Sequence, residues 1–487
     1  MEDENGRLID VSEVAVGPAK PAPPPVGRNK TFRKYDPDQI VLLPGSVRDL
    51  VPDDDQAHFI ADLVDLEILD LSRIFASYTD GRGFPPYDPR LMVKLLLYGY
   101  SHGITSSRKL EQATHRDVAM RMLCAGQHPD HRAIGRFRSR HLKALAGFLV
   151  QSIRLCDKAG MVGLGTLAVD GTKLRANASR RKAMSYDRMG PRIDQLQAEI
   201  DALLRETERI DREEDELYGK GRKGIDLPGE LARRETRIKK IREAQQALED
   251  ETREAEQTRR DEMIAQGRSP KDPEKMDRDP FMPKGRAQRN FTDPESRIMK
   301  TADGSFHQCY NGQAIVDSQH QIILATTLDN VAPDHGYLPG TLARLDENLQ
   351  AIDRTPTSTG SLLADAGYYS DDHVGLIEDH GLDPVIATGR LKHHERAQPA
   401  PRGRIPNDAT TRERMARKLR TRKGRKAYAR RKAIVEPVFG QIDTVQNGRK
   451  LRIRGKQAAA HQWDLTCAIH NLWKLHRAGG LSLLQST

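Results

Sequence analysis

Cysteine is scarce in this 487-residue chain: Cys124, Cys156, Cys309 and Cys467 lie far apart and form no CxxC pair. That argues against a disulfide framework and against a four-cysteine zinc site. Cys124 with His128 and His131 lacks a fourth ligand and is broken by Gly126 and Pro129, so a polar loop is the expectation there. Long apolar runs are missing too; none approaches the ~18 residues of a membrane-spanning helix. The first residues, Met-Glu-Asp-Glu, have nothing of a signal peptide. A soluble, cytoplasmic protein without membrane contact is predicted, too long for one small core and divided into two or three domains.

Charge is abundant, at 30% of residues, with a net value of +10. Its placement carries more than its size. From Arg390 to Lys456 there are 22 Lys or Arg against 5 Asp or Glu, an excess of +17, which leaves the rest of the chain near −7. A concentrated basic stretch in a mildly acidic body is an electrostatic footprint for phosphate backbones, so nucleic acid is the expected partner. Carboxylates punctuate the chain in a second pattern. Leu164–Val169 reads as a short buried strand that delivers Asp170 at its carboxyl end before Gly171 and Thr172. Ser361-Leu-Leu-Ala repeats the design and ends at Asp365, and Glu436 lies among basic residues on a late helix. Three such carboxylates on one site are a donor set for Mg²⁺, which prefers oxygen ligands.

Taken in order, residues 1–34 hold a proline-rich tail expected to be disordered. Residues 35–160 read as an all-α domain, with Pro52-Asp-Asp-Asp as a cap, Pro89 near the first turn of a helix, and a helix over 130–150. The turn before Ala133–His141 fits a helix-turn-helix with Arg132, Arg136, Arg138 and Arg140 toward DNA; it equally fits a helical domain with a solvated arginine face. Residues 179–299 form an insertion. Ile193, Leu196, Ile200 and Leu203, then Leu231, Ile238, Ile241 and Leu248, recur at helical spacing among charged residues. Two long helices in an antiparallel coiled-coil hairpin follow from that pattern. The turn Gly219–Gly224 matches GxGxxG but follows no strand, so no nucleotide site is expected. Residues 161–178 and 300–477 alternate strands and helices, with a hairpin over 306–328 and a closing helix over 461–476. That is an α/β domain with a mixed sheet, in which ligand chemistry gathers at the carboxyl ends of strands. A tail, 478–487, ends the chain.

Val-Asp170-Gly-Thr-Lys, Ala-Asp365-Ala-Gly-Tyr and Val-Glu436-Pro-Val-Phe-Gly-Gln resemble the three acidic motifs of bacterial insertion-sequence transposases with a ribonuclease H-like DDE domain. The helical part, through Tyr87-Asp-Pro-Arg-Leu-Met, Leu95-Leu-Leu-Tyr-Gly-Tyr and Gln127-His-Pro-Asp-His-Arg, is similar to that family's N-terminal domain. The resemblance implies that Asp170, Asp365 and Glu436 are the catalytic, metal-binding triad for two Mg²⁺ ions, with Mn²⁺ as a substitute. It implies DNA as partner, both the terminal inverted repeats and the target, handled by a homodimer. Lys173, Arg175, Arg390, Tyr428, Arg431, Lys432, Arg136 and Arg138 are the candidate DNA contacts. Relatives often carry Lys after the Glu; here the position seven residues on is Asp443, which repels phosphate unless Arg449 or Lys450 compensates. A nuclease that cuts without joining, and a copy that only binds DNA, are the competing expectations.

Overall fold

A computed structural model describes residues 45–79, 85–218, 227–355, 360–389, 400–401 and 403–485. The expected tail over 1–34, the glycine turn 219–224 and Arg390 lie outside the described residues.

Local chemistry accounts for the first helices. Asp55, Asp88, Asp117 and Asp130 each take extended backbone. Each turns its carboxylate onto a backbone N–H, of Ala57, Arg90, Met120 and Ala133, at 2.7–2.9 Å. These N-caps start the helices Gln56–Asp65, Pro89–Ser101, Val118–Leu123 and His131–Ala146. The long helix expected over 130–150 is two: His131–Ala146 ends at Gly147, and Phe148–Lys158 begins immediately after. No strand occurs between Gln56 and Lys158 among the described residues.

Among the described residues eight strands follow: β1 Thr166–Arg175, β2 Ala183–Ser185, β3 Gln288–Asn290, β4 Arg297–Lys300, β5 Phe306–Asp317, β6 Ile323–Asp329, β7 Ser361–Ala364 and β8 Asp383–Ile386. Six form one mixed sheet in the order β4-β5-β1-β7-β8, with β6 also on β5. β5 is antiparallel to β1 from Leu167↔Asp317 to Arg175↔Cys309. β7 runs parallel to β1, but only from Thr166↔Ser361 to Ala168↔Leu363. The sequence reading ended the first strand at Asp170; instead β1 runs five residues further, because β5 is long enough to keep pairing with it. Asp170 therefore lies mid-strand. It still meets an opening, since β7 has stopped beside it. The same edge of β1 regains a partner only at Arg175, which bridges in parallel to Lys450.

Two long helices, Tyr186–Tyr218 and Leu227–Ala265, leave the sheet between β2 and β3. Tyr186 Oη donates to Glu249 at 2.6 Å and Arg234 to Glu199 at 3.3 Å, so the helices run in opposite directions. Leu196, Ile200, Ile238, Ile241 and Leu248 are buried between them. The short pair β2–β3 closes the base of this excursion. The sequence reading missed β2, β3 and β4, whose polar, three- or four-residue segments carry no alternation to detect. Val47–Thr487 form one compact unit. Its closing helix, Lys456–Ala478, is buried along most of its length, and Trp463 donates from Nε1 to the Gln313 carbonyl of β5 at 3.1 Å.

Candidate active site

Asp170 projects into the opening beside β7. Its Oδ1 accepts the Gly171 N–H at 2.9 Å, and its Oδ2 accepts Arg431 Nη1 at 2.8 Å. Burial pushes the Asp170 carboxyl above its ordinary range; Arg431 pulls it back, and Asp365 pushes it up again. Asp170 and Asp365 therefore share one electrostatic neighbourhood. Asp365 directly follows β7 and caps the turn Ala366–Tyr368, accepting the Gly367 N–H at 2.8 Å.

Arg431 comes from the helix Arg422–Thr444 and is 8% exposed. Burial alone would lower its pKa, but Asp170, Tyr428 and Asp365 together hold it raised. Its Nε has no hydrogen-bond partner among the described residues. Tyr428, one turn earlier, is half-buried, and burial pushes its phenol up. Among the proposed DNA contacts, Arg431 is thus committed to a carboxylate inside the protein.

Glu436 sits on the same helix but elsewhere on its circumference. Ile434, Val435, Val438, Phe439 and Ile442 share the buried side with Arg431. Five residues at ~100° each put Glu436 about 140° around from Arg431. The sequence predicted a half-buried position; Glu436 is exposed. Pro437 follows it inside the helix and has no N–H for the Ala433 carbonyl, which instead accepts Gln321 Nε2 at 3.0 Å. Asp170 and Asp365 thus share one neighbourhood, and Glu436 is exposed on the helix that carries Arg431. Among the described residues no three His, Cys, Asp or Glu are grouped to hold a metal ion. The two aspartates alone supply hard oxygen donors that suit Mg²⁺, with Arg431 standing at the oxygen such an ion would take.

A polar network the sequence reading did not assemble lies beside this pair. Asp334 Oδ1 accepts Asn311 Nδ2 at 2.7 Å, Gln313 Nε2 at 3.0 Å and Lys173 Nζ at 3.2 Å. Tyr368, fully buried, donates its hydroxyl to Gln313 Oε1. Burial raises its pKa far above the usual value, and Asp334, Asp170 and Asp365 add to the effect. A Cβ on Gly171 would meet Gln313 Nε2 at 2.4 Å and Asp334 Oδ1 at 2.8 Å, which explains glycine after the first aspartate. The Tyr in Asp365-Ala-Gly-Tyr was the available signal for this network; Asp334, in a loop, gave none.

The other expected contacts separate by burial. Arg138 turns inward, with Nη1 donating to Tyr100 Oη and the Thr105 carbonyl, both at 3.0 Å. It shares the inner helix face with Ile134, Phe137, His141 and Leu142, so it is not placed to touch DNA. Arg140 donates to the Ser77 carbonyl at 2.6 Å, while Arg136, Arg132 and Lys432 are exposed. Arg175 pairs with Asp303 at 2.7 Å. Asp443 pairs with Arg449 at 3.1 Å, which neutralises the unexpected carboxylate. His131 binds Glu111 and His128 meets the Thr114 hydroxyl, as expected of a polar loop.

A parallel-centred mixed sheet with aspartates at the β1–β7 junction defines a ribonuclease H-like DDE domain. Family models agree: residues 45–140 match a transposase domain (DUF772), and residues 283–472 match a transposase DDE domain. The chain belongs to the insertion-sequence transposases of the DDE type. No curated protein and no solved structure matches it. Among the described residues no helix is long and apolar enough to cross a membrane.

Proposed function

We propose that this transposase binds the terminal inverted repeats of its element as a homodimer, cuts the DNA at those ends and joins the freed 3′ ends to target DNA. The shared neighbourhood of Asp170 and Asp365, each from a different strand of one sheet, is the observation that supports it most. These two carboxylates hold Mg²⁺ or Mn²⁺ in this reading. Glu436, from the helix that carries Arg431, would be the third ligand. Bound metal supplies Lewis acidity and a hydroxide nucleophile at neutral pH. Arg431 opposes the upward push of burial on the Asp170 carboxyl, and the Tyr368–Gln313–Asp334 network fixes the backbone on which Asp170 rides. Lys173, anchored by Asp334, Lys432 and Arg136 are the proposed contacts to phosphate. The helices before Lys158 serve as the DNA-binding N-terminal domain, over 35–160, and the helical pair as a coiled-coil spacer or dimer contact within the insertion 179–299. The catalytic domain then comprises 161–178 and 300–477, in the cytoplasm.

Purified protein is incubated with linear DNA carrying the element's ends and Mg²⁺. Nicked and joined products in the wild type, absent in Asp170→Asn and Asp365→Asn, support the reading. Nicks without joined products assign a nuclease, and binding without nicks removes the catalytic role. Glu436→Gln with unchanged nicking would take Glu436 out of the site.

A further inference from the structure

β1 ends in a second concave site. Where Arg175 meets the segment after the Glu436 helix, a cavity of about 510 Å³ opens between the two. Its walls are tied by backbone bonds: Arg175 N–H to the Arg449 carbonyl at 2.7 Å, and Leu451 N–H to the Arg175 carbonyl at 2.9 Å. Asn177 Nδ2 adds a bond to the Arg452 carbonyl at 2.9 Å. The lining holds Arg175, Lys182, Lys450, Arg452 and Arg454, with His307, and no carboxylate. Asp303 pairs with Arg175 at 2.7 Å and lies 4.0 Å from His307. Arg452 and Arg454 donate from Nε to neutral oxygens, Thr105 Oγ1 at 2.9 Å and the Asn177 carbonyl at 3.1 Å. Lys182 and Lys450 are exposed and make no ion pair among the described residues.

Five cations held around a concavity favour an anion with several charges, and the polar lining does not suit an apolar ligand. Distance selects among anions. Arg175 lies five residues beyond Asp170 on one strand, about 16 Å at ~3.3 Å per residue. One DNA strand advances by about 3.4 Å per nucleotide, so that span covers about five nucleotides. We propose that this cavity is a phosphodiester subsite that grips the DNA backbone about five nucleotides from the bond cut at Asp170. It rests on the transposase reading and adds to it a place where the flanking duplex is held.

The test measures binding of full-length protein to a 30-bp duplex carrying an element end, across a salt series. Each phosphate contact contributes a slope of about 0.9 in log K against log[salt], so Lys182→Ala with Lys450→Ala is expected to reduce the slope by about 1.8. Both side chains are exposed, so folding is spared, and an unchanged melting curve checks that. An unchanged slope in a wild type that still nicks DNA overturns the subsite alone. A wild type that neither binds nor nicks overturns the subsite and the transposase chemistry together. Inorganic phosphate that titrates into the wild type and not the variant, with the DNA slope unchanged, assigns the cavity to a small anion and overturns the DNA assignment.

Discussion

Asp464 lies on the closing helix, buried against β6, and one oxygen accepts the Thr326 hydroxyl. Burial pushes its pKa from 3.8 up to about 6; the Thr326 bond and Arg344 pull it down, but less. At roughly 1.4 kcal/mol per unit, that rise represents about 3 kcal/mol between the fully protonated and fully ionised limits. The sign follows from linkage. A carboxyl whose folded pKa is raised binds its proton more tightly in the native state. Its stabilising contribution is complete below 3.8 and disappears as pH rises through about 6. Asp464→Asn keeps an acceptor for Thr326 and has no charge to bury. The amide's extra donors shift stability by a constant at every pH, so only the pH-dependent part of the comparison is diagnostic. Relative to wild type, the variant gains about 1.4 kcal/mol between pH 5 and pH 8. Thermal unfolding of both proteins in parallel buffers reads this as a melting difference that grows with pH. Parallel melting curves across that range would refute the reasoning, because they would mean that Asp464 is not protonated in the native state at pH 5.

Arg431→Ala leaves the half-buried Asp170 without its partner and is expected to cost about 1.5–3 kcal/mol, while Asp170→Asn combined with Arg431→Gln recovers most of it in denaturant melts. Arg138→Ala strands the Tyr100 hydroxyl and the Thr105 carbonyl and lowers stability by about 1–3 kcal/mol, with the salt slope of DNA binding unchanged. Arg136→Ala should do the reverse, leaving stability within about 0.5 kcal/mol of wild type and reducing the slope by about 0.9 if it meets a phosphate. Gly171→Ala drives a methyl into Gln313 and Asp334, and overpacking of this kind costs about 1–3 kcal/mol.

The sequence was most legible where the physics is local. Pro52-Asp-Asp-Asp announced the helix at Gln56, and Pro89 the helix it begins, because these signals need only neighbours. The hairpin β5–β6 and the strand β7 appeared within a residue or two, because their apolar runs are bounded by turn residues. The end of β1 was misjudged because what extends it is β5, more than a hundred residues later. Asp170 and Asp365 could be read as strand-end carboxylates. That Arg431 would lie on Asp170, and that Asp334 would gather three donors, depends on how a helix and a loop dock. No spacing encodes that. Glu436 shows the same limit: its motif was plain, but the side of the helix it faces was fixed by Arg431, Val435 and Phe439 going in.

The β2–β3 clasp has a consequence for how the chain assembles. β1 cannot complete its ladder until β5 arrives, with residues 176–305 between them. At ~5–20 residues per second of synthesis, that is a wait of roughly 6 to 26 seconds with one strand edge unpaired. A flexible loop of that length would also carry the closure entropy of its full contour. The helical pair changes this. Its two arms pair antiparallel, and the Ala183–Ser185 and Gln288–Asn290 ladder returns the chain to where it left. For the sheet, the excursion then counts as a short connection, since its two ends are held side by side at β2 and β3.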